Sequence, residues 1–286
     1  MSSRGAALAC CGRSHVVISA KTCFLAPSAA RVYDFLLGGK DHYAVDREVA
    51  QQFLAVAPDA GRAALANRAF VRRAVRHLVA DAGIRQFIDL GAGLPARGNV
   101  HEIAHSFDPG ARVVYVDNDP MVVAHSRALL ADDATTTAVH ADVVRLEEIV
   151  GDPEVHRFID FDEPVGILLF AVLHHVRDED DPAGVTATLR RALPSGSHLA
   201  LSHFHNPAQA DPEVASQAET SEKLLSDALG TGRWRSRAEI LDLLAGFDVL
   251  QPGVVPLADW RPDPADPSPS LDLMHHQFLG AVARKP

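Results

Sequence analysis

Phe87-Ile88-Asp89-Leu90-Gly91-Ala92-Gly93 decides the fold. A short apolar run breaks into two glycines, the pattern of a buried strand running into a tight turn at the head of a helix. Glycines there let a ligand approach backbone atoms at the N-terminal end of the next helix. The same rhythm repeats outward from this point. Strands are expected at 86–90, 112–117, 135–140, 165–171 and 197–203, with helices near 98–107, 120–131, 144–150 and 182–193. Asp119-Pro120 and Asp181-Pro182 supply an N-cap and a first-turn proline to two of those helices. This alternation predicts a doubly wound, Rossmann-like α/β sheet built from parallel βαβ units.

Further downstream, helices are expected near 212–229 and, from a Ser236 cap, near 237–245. A short strand at 247–250 and a final strand at 274–283 follow, with proline-rich 256–269 between them as a loop or flap. Upstream, residues 1–25 show no sustained period and read as a disordered leader. Residues 26–84 read as an N-terminal helical cap, with a break at Gly38-Gly39, and residues 85–286 as the core. Arg68, Arg72, Arg73 and Arg76 in the cap's last helix read as a solvated face.

The 286-residue chain is 47% hydrophobic and 22% charged, which suits a large buried core. Acidic residues outnumber basic ones 37 to 27, a net charge of −10 that repels a phosphate backbone. Nucleic acid is therefore not expected as a partner, and a small molecule is favoured. Cys10, Cys11 and Cys23 all precede the first patterned segment and form neither a disulfide framework nor a zinc quartet. The apolar run before Cys10 is too short for an export signal, and Val165 to Val176 falls well short of the roughly 18 residues of a membrane span. A cytoplasmic protein without membrane contact is expected. Nothing in the text reports an oligomeric state.

Two more aspartates stand at strand ends, where doubly wound folds place ligands. Asp117 can accept two hydrogen bonds from vicinal ribose hydroxyls, and Asn118 follows it beside an adenine position. Asp142 can accept an adenine amine while the backbone N–H of Val143 meets a ring nitrogen. A dinucleotide oxidoreductase is the competing reading, because Gly91-x-Gly93-x-x-Ala96 fits the Rossmann fingerprint and Asp117 suits a nicotinamide ribose too. Asp89 separates the two. Its carboxylate, two residues before the first glycine, repels a pyrophosphate at short range but suits the ammonium of a methionine moiety. Pro95 also interrupts the fingerprint, and Gly91 to Asp117 exceeds its usual spacing of roughly 20 residues. S-adenosylmethionine is the expected cofactor. NAD(P)-linked redox chemistry, or cofactor binding without methyl transfer, are the alternatives.

The text resembles a bacterial, actinomycete-type S-adenosyl methyltransferase family whose substrates are largely unassigned. The resemblance runs over about residues 27–286, through Ala30 to Asp41, Asp89 to Pro95 with Asn99 to Glu102, Val114 to Pro120, Ala171 to His174, Leu199 to His203 and Gly280 to Pro286. It implies a class I methyltransferase sheet with a final antiparallel strand. It also implies cofactor contacts at Gly91, Gly93, Asp117, Asn118 and Asp142, and it supplies no substrate. Ala92 between the glycines and Ala171 at the fourth strand's end complete the expected contacts. His175 departs from the family-like text, where an apolar residue is more usual.

Methyl transfer needs alignment, exclusion of water and, for a hydroxyl or amine, sometimes a base. The fourth strand ends Phe170-Ala-Val-Leu-His-His175, without the Asn/Asp-Pro-Pro-aromatic text of amino-methylating nucleic-acid enzymes. His174 and His203, just past neighbouring strands, are the candidate bases. No metal is expected, since His203-x-His205 lacks a carboxylate partner. In the cap, Gly38-Gly39 and Lys40 read as a site for a ligand carboxylate, Tyr33 or Tyr43 as a cation–π shield, and residues 30–47 as a lid. O- or N-methylation of a small molecule is the expected activity.

Overall fold

In the computed structural model, residues 26–96, 98–130, 134–264, 266 and 272–286 are described. The expected leader and its three cysteines lie outside them. Five strands run parallel: β1 (Gln86–Leu90), β2 (Arg112–Asp117), β3 (Thr136–His140), β4 (Gly166–Phe170) and β5 (His198–Phe204). The last strand, β8 (Phe278–Arg284), is antiparallel to β5 and also pairs with β6 (Asp248–Val249) and β7 (Val255–Pro256). The order β3-β2-β1-β4-β5-β8-β6 reverses direction of growth between β1 and β4. That reversal opens the ligand crevice of a doubly wound sheet at the strands' carboxyl ends.

Period-two alternation sorts the strand side chains onto two faces. Ile88, Leu90, Ile167, Leu169, Leu199 and Leu201 turn to one core, under α6 (Leu146–Val150), α7 (Pro153–Phe158), α8 (Pro182–Ala192) and α10 (Arg237–Asp242). Phe87, Val113, Tyr115, Leu168, Ala200 and Val282 turn to the other. That face is covered by α1 (Ala29–Leu36), α2 (Ala44–Val56), α3 (Ala60–Arg76), α4 (Val100–His105), α5 (Pro120–Leu129), α9 (Pro212–Leu229) and α11 (Leu273–His276). The helical cover thus draws on both ends of the chain, with α9 packed on α2.

Several helix starts follow the side-chain chemistry of their caps. Asp119, Asp181 and Asp211 accept from the first-turn N–H groups of Met121, Gly184 and Val214, each ahead of a proline, and Ser236 with Glu239 closes a capping box. Asp152-Pro153 carries the same signal and starts α7, a helix additional to those expected from the sequence.

Three expectations need correction. The segment expected to open the final strand at 274 is a helical turn, Leu273–His276, so β8 begins only at Phe278. The proline-rich stretch is no free flap in its described part: β7 pairs with β8, and the Trp260 ring is fully buried. Arg73 explains why, since its guanidinium donates to the carbonyls of Leu257 (2.6 Å) and Trp260 (2.9 Å) and pairs with Asp266. Arg72 and Arg76 reach Asp263 as well. Of the expected solvated arginine face, Arg72, Arg73 and Arg76 therefore form a dock for that loop.

Candidate active site

The carboxyl ends of the strands frame a cavity of about 530 Å³. One side is the expected crevice. β1 delivers Asp89, then Gly91 and Gly93, both at positive φ (70° and 67°), with Ala92 between them on the cavity wall. A Cβ on Gly91 would lie 2.6 Å from Val172, whereas one on Gly93 would meet nothing within 4 Å, so a ligand can reach the Gly93 backbone. Asp117, at the end of β2, accepts the Gly93 N–H (2.9 Å) on Oδ2 and the Asp119 N–H (2.8 Å) on Oδ1. A carboxylate has about four acceptor positions, so each oxygen keeps capacity for a ligand hydroxyl. Burial raises the Asp117 pKa, against the backbone bonds from Asp119 and Gly93. Asn118 is exposed at the rim. Asp142 accepts from Val144 N–H (3.2 Å), capping the short turn Val143–Arg145, and both Asp142 and Val143 line the cavity.

Asp89 is buried, and no described residue donates a hydrogen bond to it. Burial pushes its pKa up to about 7, with Arg68 opposing and Asp117 adding to the rise. A carboxylate in that condition is a receptor for a cationic ligand group.

A directed hydrogen-bond chain ties the crevice to the helices above. The Ala171 N–H donates to Ser202 Oγ (2.9 Å), Ser202 to Asn67 Oδ1 (2.7 Å), Asn67 Nδ2 to Tyr33 Oη (3.0 Å), and Tyr33 to the Ala64 carbonyl (3.1 Å). Between the donating Ala171 N–H and the accepting Ala64 carbonyl, Ser202, Asn67 and Tyr33 each accept from one side and donate to the other, which sets the Asn67 amide orientation. Ala171 sits at φ 59°, a left-handed conformation that costs about 1–3 kcal/mol for a residue with a Cβ and persists only when neighbours hold it. Tyr33, Asn67 and Ala171 all line the cavity.

Other predicted residues lie apart. Gly39 and Lys40 are not in the cavity wall. They end α1: a Cβ on Gly39 would collide with the Asp34 carboxylate, which accepts the Asp41 N–H (2.9 Å) and pairs with His42. Lys40 points to solvent, and Tyr43 heads α2 with its ring under the Arg31 guanidinium. His203 lies within β5 and does not line the cavity. Its Nδ1 meets the Phe204 carbonyl (2.7 Å) and its Nε2 accepts from Arg235 (2.9 Å), so both ring nitrogens are engaged, and burial lowers its pKa to about 3. His174 does line the cavity, but its ring is stacked on Phe204 (3.7 Å) and its Nδ1 accepts the Phe204 N–H. The neutral ring then carries its proton on Nε2. Burial, followed by His175, His203 and Arg235, pushes its pKa well down.

A family model described as S-adenosyl methyltransferase matches residues 20–286. The chain belongs to that family. Two solved structures are similar to this methyltransferase throughout. A candidate methyltransferase from Thermobifida fusca YX is 40% identical, with a TM-score of 0.85, over 91% of this chain and 95% of that one. A DUF574-family protein from Streptomyces avermitilis MA-4680 is 37% identical, also at 0.85, over 92% and 99%. No curated protein sequence matches. Family membership sets the nicotinamide reading aside, and S-adenosylmethionine is the cofactor.

The residues fit that cofactor: an unpaired buried carboxylate at Asp89, an approachable backbone at Gly93 and spare acceptor capacity on Asp117 face one cavity. Among the methyltransferase's lining residues, Asn67 escaped the sequence reading and Arg68, expected on a solvated face, is corrected to the cavity wall. Arg68 donates to the Gly98 carbonyl (2.6 Å) and its charge acts on Asp89. The signal was an Asn-Arg pair in an alanine-rich helix, masked by the arginines that follow.

Proposed function

We propose that the enzyme methylates an oxygen or nitrogen atom of a small molecule bound in the same cavity as S-adenosylmethionine. The observation that carries this reading is the cavity's second half. Beyond the crevice it continues into an apolar lobe walled by Val32, Leu36, Phe53, Leu225, Met274 and Phe278, under α1, α2, α9 and α11. A partly enclosed apolar chamber beside the cofactor crevice suits a small hydrophobic acceptor. The net charge of −10 weighs against nucleic acid. Among the described residues no helix is long and apolar enough to cross a membrane. The absence of cysteine beyond residue 23 supports a cytoplasmic setting.

Within this reading Asp117 holds the ribose hydroxyls, Asn118, Asp142 and Val143 border the adenine, and Gly91, Ala92 and Gly93, whose N–H groups are bonded to Val116 and Asp117, turn backbone carbonyls to the methionine moiety. Asp89 pairs with its ammonium, while Tyr33 and Ala171 close the sides nearest the acceptor lobe. When bound, S-adenosylmethionine supplies an electrophilic methyl group on a cationic sulfur. The chain's own part is alignment, exclusion of water by the helical cover, and hydrogen bonding to the acceptor. Asp117→Ala is expected to weaken S-adenosylhomocysteine binding by about tenfold or more in a folded protein, because hydrogen bonds to a charged acceptor contribute roughly 1.5–3 kcal/mol. Calorimetry measures this, and unchanged affinity removes the ribose assignment. Methyl-labelled cofactor incubated with fractionated cell extract tests the acceptor: label is expected in the dialysable fraction, and label confined to protein or nucleic acid, or in no fraction, overturns the reading.

A further inference from the structure

The cavity wall after β4 carries His175 and Thr231, with Arg177 and Asp180 beside them neutralising each other in an ion pair (2.9 Å). After Ala171 the chain makes a short turn, Leu173–His175, that is held from beneath. Arg235, buried, donates to the Leu173 carbonyl (3.3 Å), and the Arg233 N–H donates to that of His174 (2.8 Å). Arg235 also pairs with Asp178. This clamp presses His174 into the aromatic stack of Phe204 and Trp234 and leaves its neighbour His175 on the cavity wall. The His175 Nδ1 lies 2.9 Å from Thr231 Oγ1, and Thr231, in the connector after α9, lines the same cavity. No described residue meets the His175 Nε2.

Burial alone lowers the His175 pKa to about 4, so the ring is neutral near pH 7. A neutral ring does not repel a sulfonium. Its tautomer is interchangeable: if Thr231 donates to Nδ1, Nε2 carries the proton and donates; if Thr231 accepts, Nε2 accepts. A ligand hydroxyl satisfies either state, since it donates and accepts. A carboxylate only accepts and an ammonium only donates, and each carries a charge whose desolvation in an apolar lobe is costly. The Phe204 ring is taken up between His174 and Trp234, so the ligand's body meets the aliphatic and aromatic walls at Val32, Leu36, Phe53 and Phe278, which favour an apolar body.

Resting on the proposed small-molecule reading, we infer that His175 and Thr231 form the acceptor's hydrogen-bonding site, and that the acceptor is an uncharged, largely apolar compound bearing a hydroxyl group.

The test uses 1-naphthol, naphthalene and 1-naphthoate, titrated calorimetrically into the full chain saturated with S-adenosylhomocysteine. The expected result is that 1-naphthol binds about tenfold tighter than either of the others, the worth of one hydrogen bond in a desolvated site. His175→Leu is expected to bring 1-naphthol within about threefold of naphthalene, and His175→Gln, which keeps a polar end near Nε2, to restore most of the preference. S-adenosylhomocysteine affinity in the two variants reports whether each is folded; should either lose it, Thr231→Val replaces them, with a partial loss of preference expected. Preference for 1-naphthoate, no discrimination by the wild type, a preference surviving in His175→Leu, or failure of all three probes to bind overturns the inference. Those outcomes leave the small-molecule reading standing, whereas label entering only macromolecules in the extract experiment removes that reading itself.

Discussion

Asp89 shows how one side chain's burial becomes a pH signature. Its folded pKa near 7 lies above the roughly 4 of an unfolded aspartate, so the folded, ligand-free enzyme holds a proton that the unfolded chain has released across that window. Stability from this group is therefore greatest below about pH 4, declines as pH rises toward 7, and is lost above it. Asn cannot ionise, and Asp89→Asn is expected to melt higher than the wild type at pH 8 in the absence of ligand and alike at pH 4, which calorimetry at both pH values measures. Cofactor binding carries the opposite sign. An ammonium pairs only with the ionised carboxylate, so wild-type affinity for S-adenosylhomocysteine is expected to rise from pH 6 to 7.5, and Asp89→Asn to bind more weakly without that rise. A flat wild-type profile removes Asp89 from the ammonium's surroundings.

Among elements, α1 is pinned at both ends. At its start Arg31 donates to Asp46 (2.7 Å) in a buried pair, and Asp119 accepts from Ser28 Oγ (3.0 Å) while capping α5, two residues past Asp117. At its end Gly38 and Gly39 close the helix onto Asp34. Only the stretch before this closure faces the cavity, so ligand-induced protection from hydrogen exchange is expected over Ala29–Leu36 and not over residues 38–43. Uniform protection of 30–47 restores a lid of that whole length. Arg31→Ala strands a buried carboxylate, expected to cost about 3–5 kcal/mol and to speed exchange throughout α1 and the start of α2. The elements themselves were legible because their signals are local: strand alternation, Asp-Pro starts and the Ser236 box each act within a few residues. What escaped the text depends on distant partners. Arg73 is structural because Trp260 lies 187 residues away, His203 is occupied because Arg235 reaches it, and a glycine pair before Lys40 reads alike whether it holds a carboxylate ligand or its own Asp34.

At the scale of the whole molecule the helical cover and the sheet share one core, and this governs how the chain divides. Phe70 of α3 stands edge-on to Phe170 at the end of β4 (5.6 Å) and to Trp260 (5.5 Å), and a Cβ on Gly280 of β8 would lie 2.7 Å from its ring. Phe53, Val71, Val75 and Leu78 are buried in the same cluster as Phe87, Val113, Leu168 and Val282 from the sheet. Exposing a large buried side chain costs about 1.5–3 kcal/mol, so uncovering this face sums past the 5–15 kcal/mol that holds a typical domain. A chain beginning at residue 85 is therefore expected not to fold cooperatively, although every strand and most cofactor-facing residues remain in it. The intact protein is expected to melt in one calorimetric transition, raised by S-adenosylhomocysteine at 100 times its dissociation constant by about 2.7 kcal/mol of linkage. Residues 26–84 would then be a layer of the catalytic domain rather than a cap upon it. A sharp, reversible transition in the 85–286 chain, or two separate transitions in the full one with only the later sensitive to ligand, would show that the cover folds on its own.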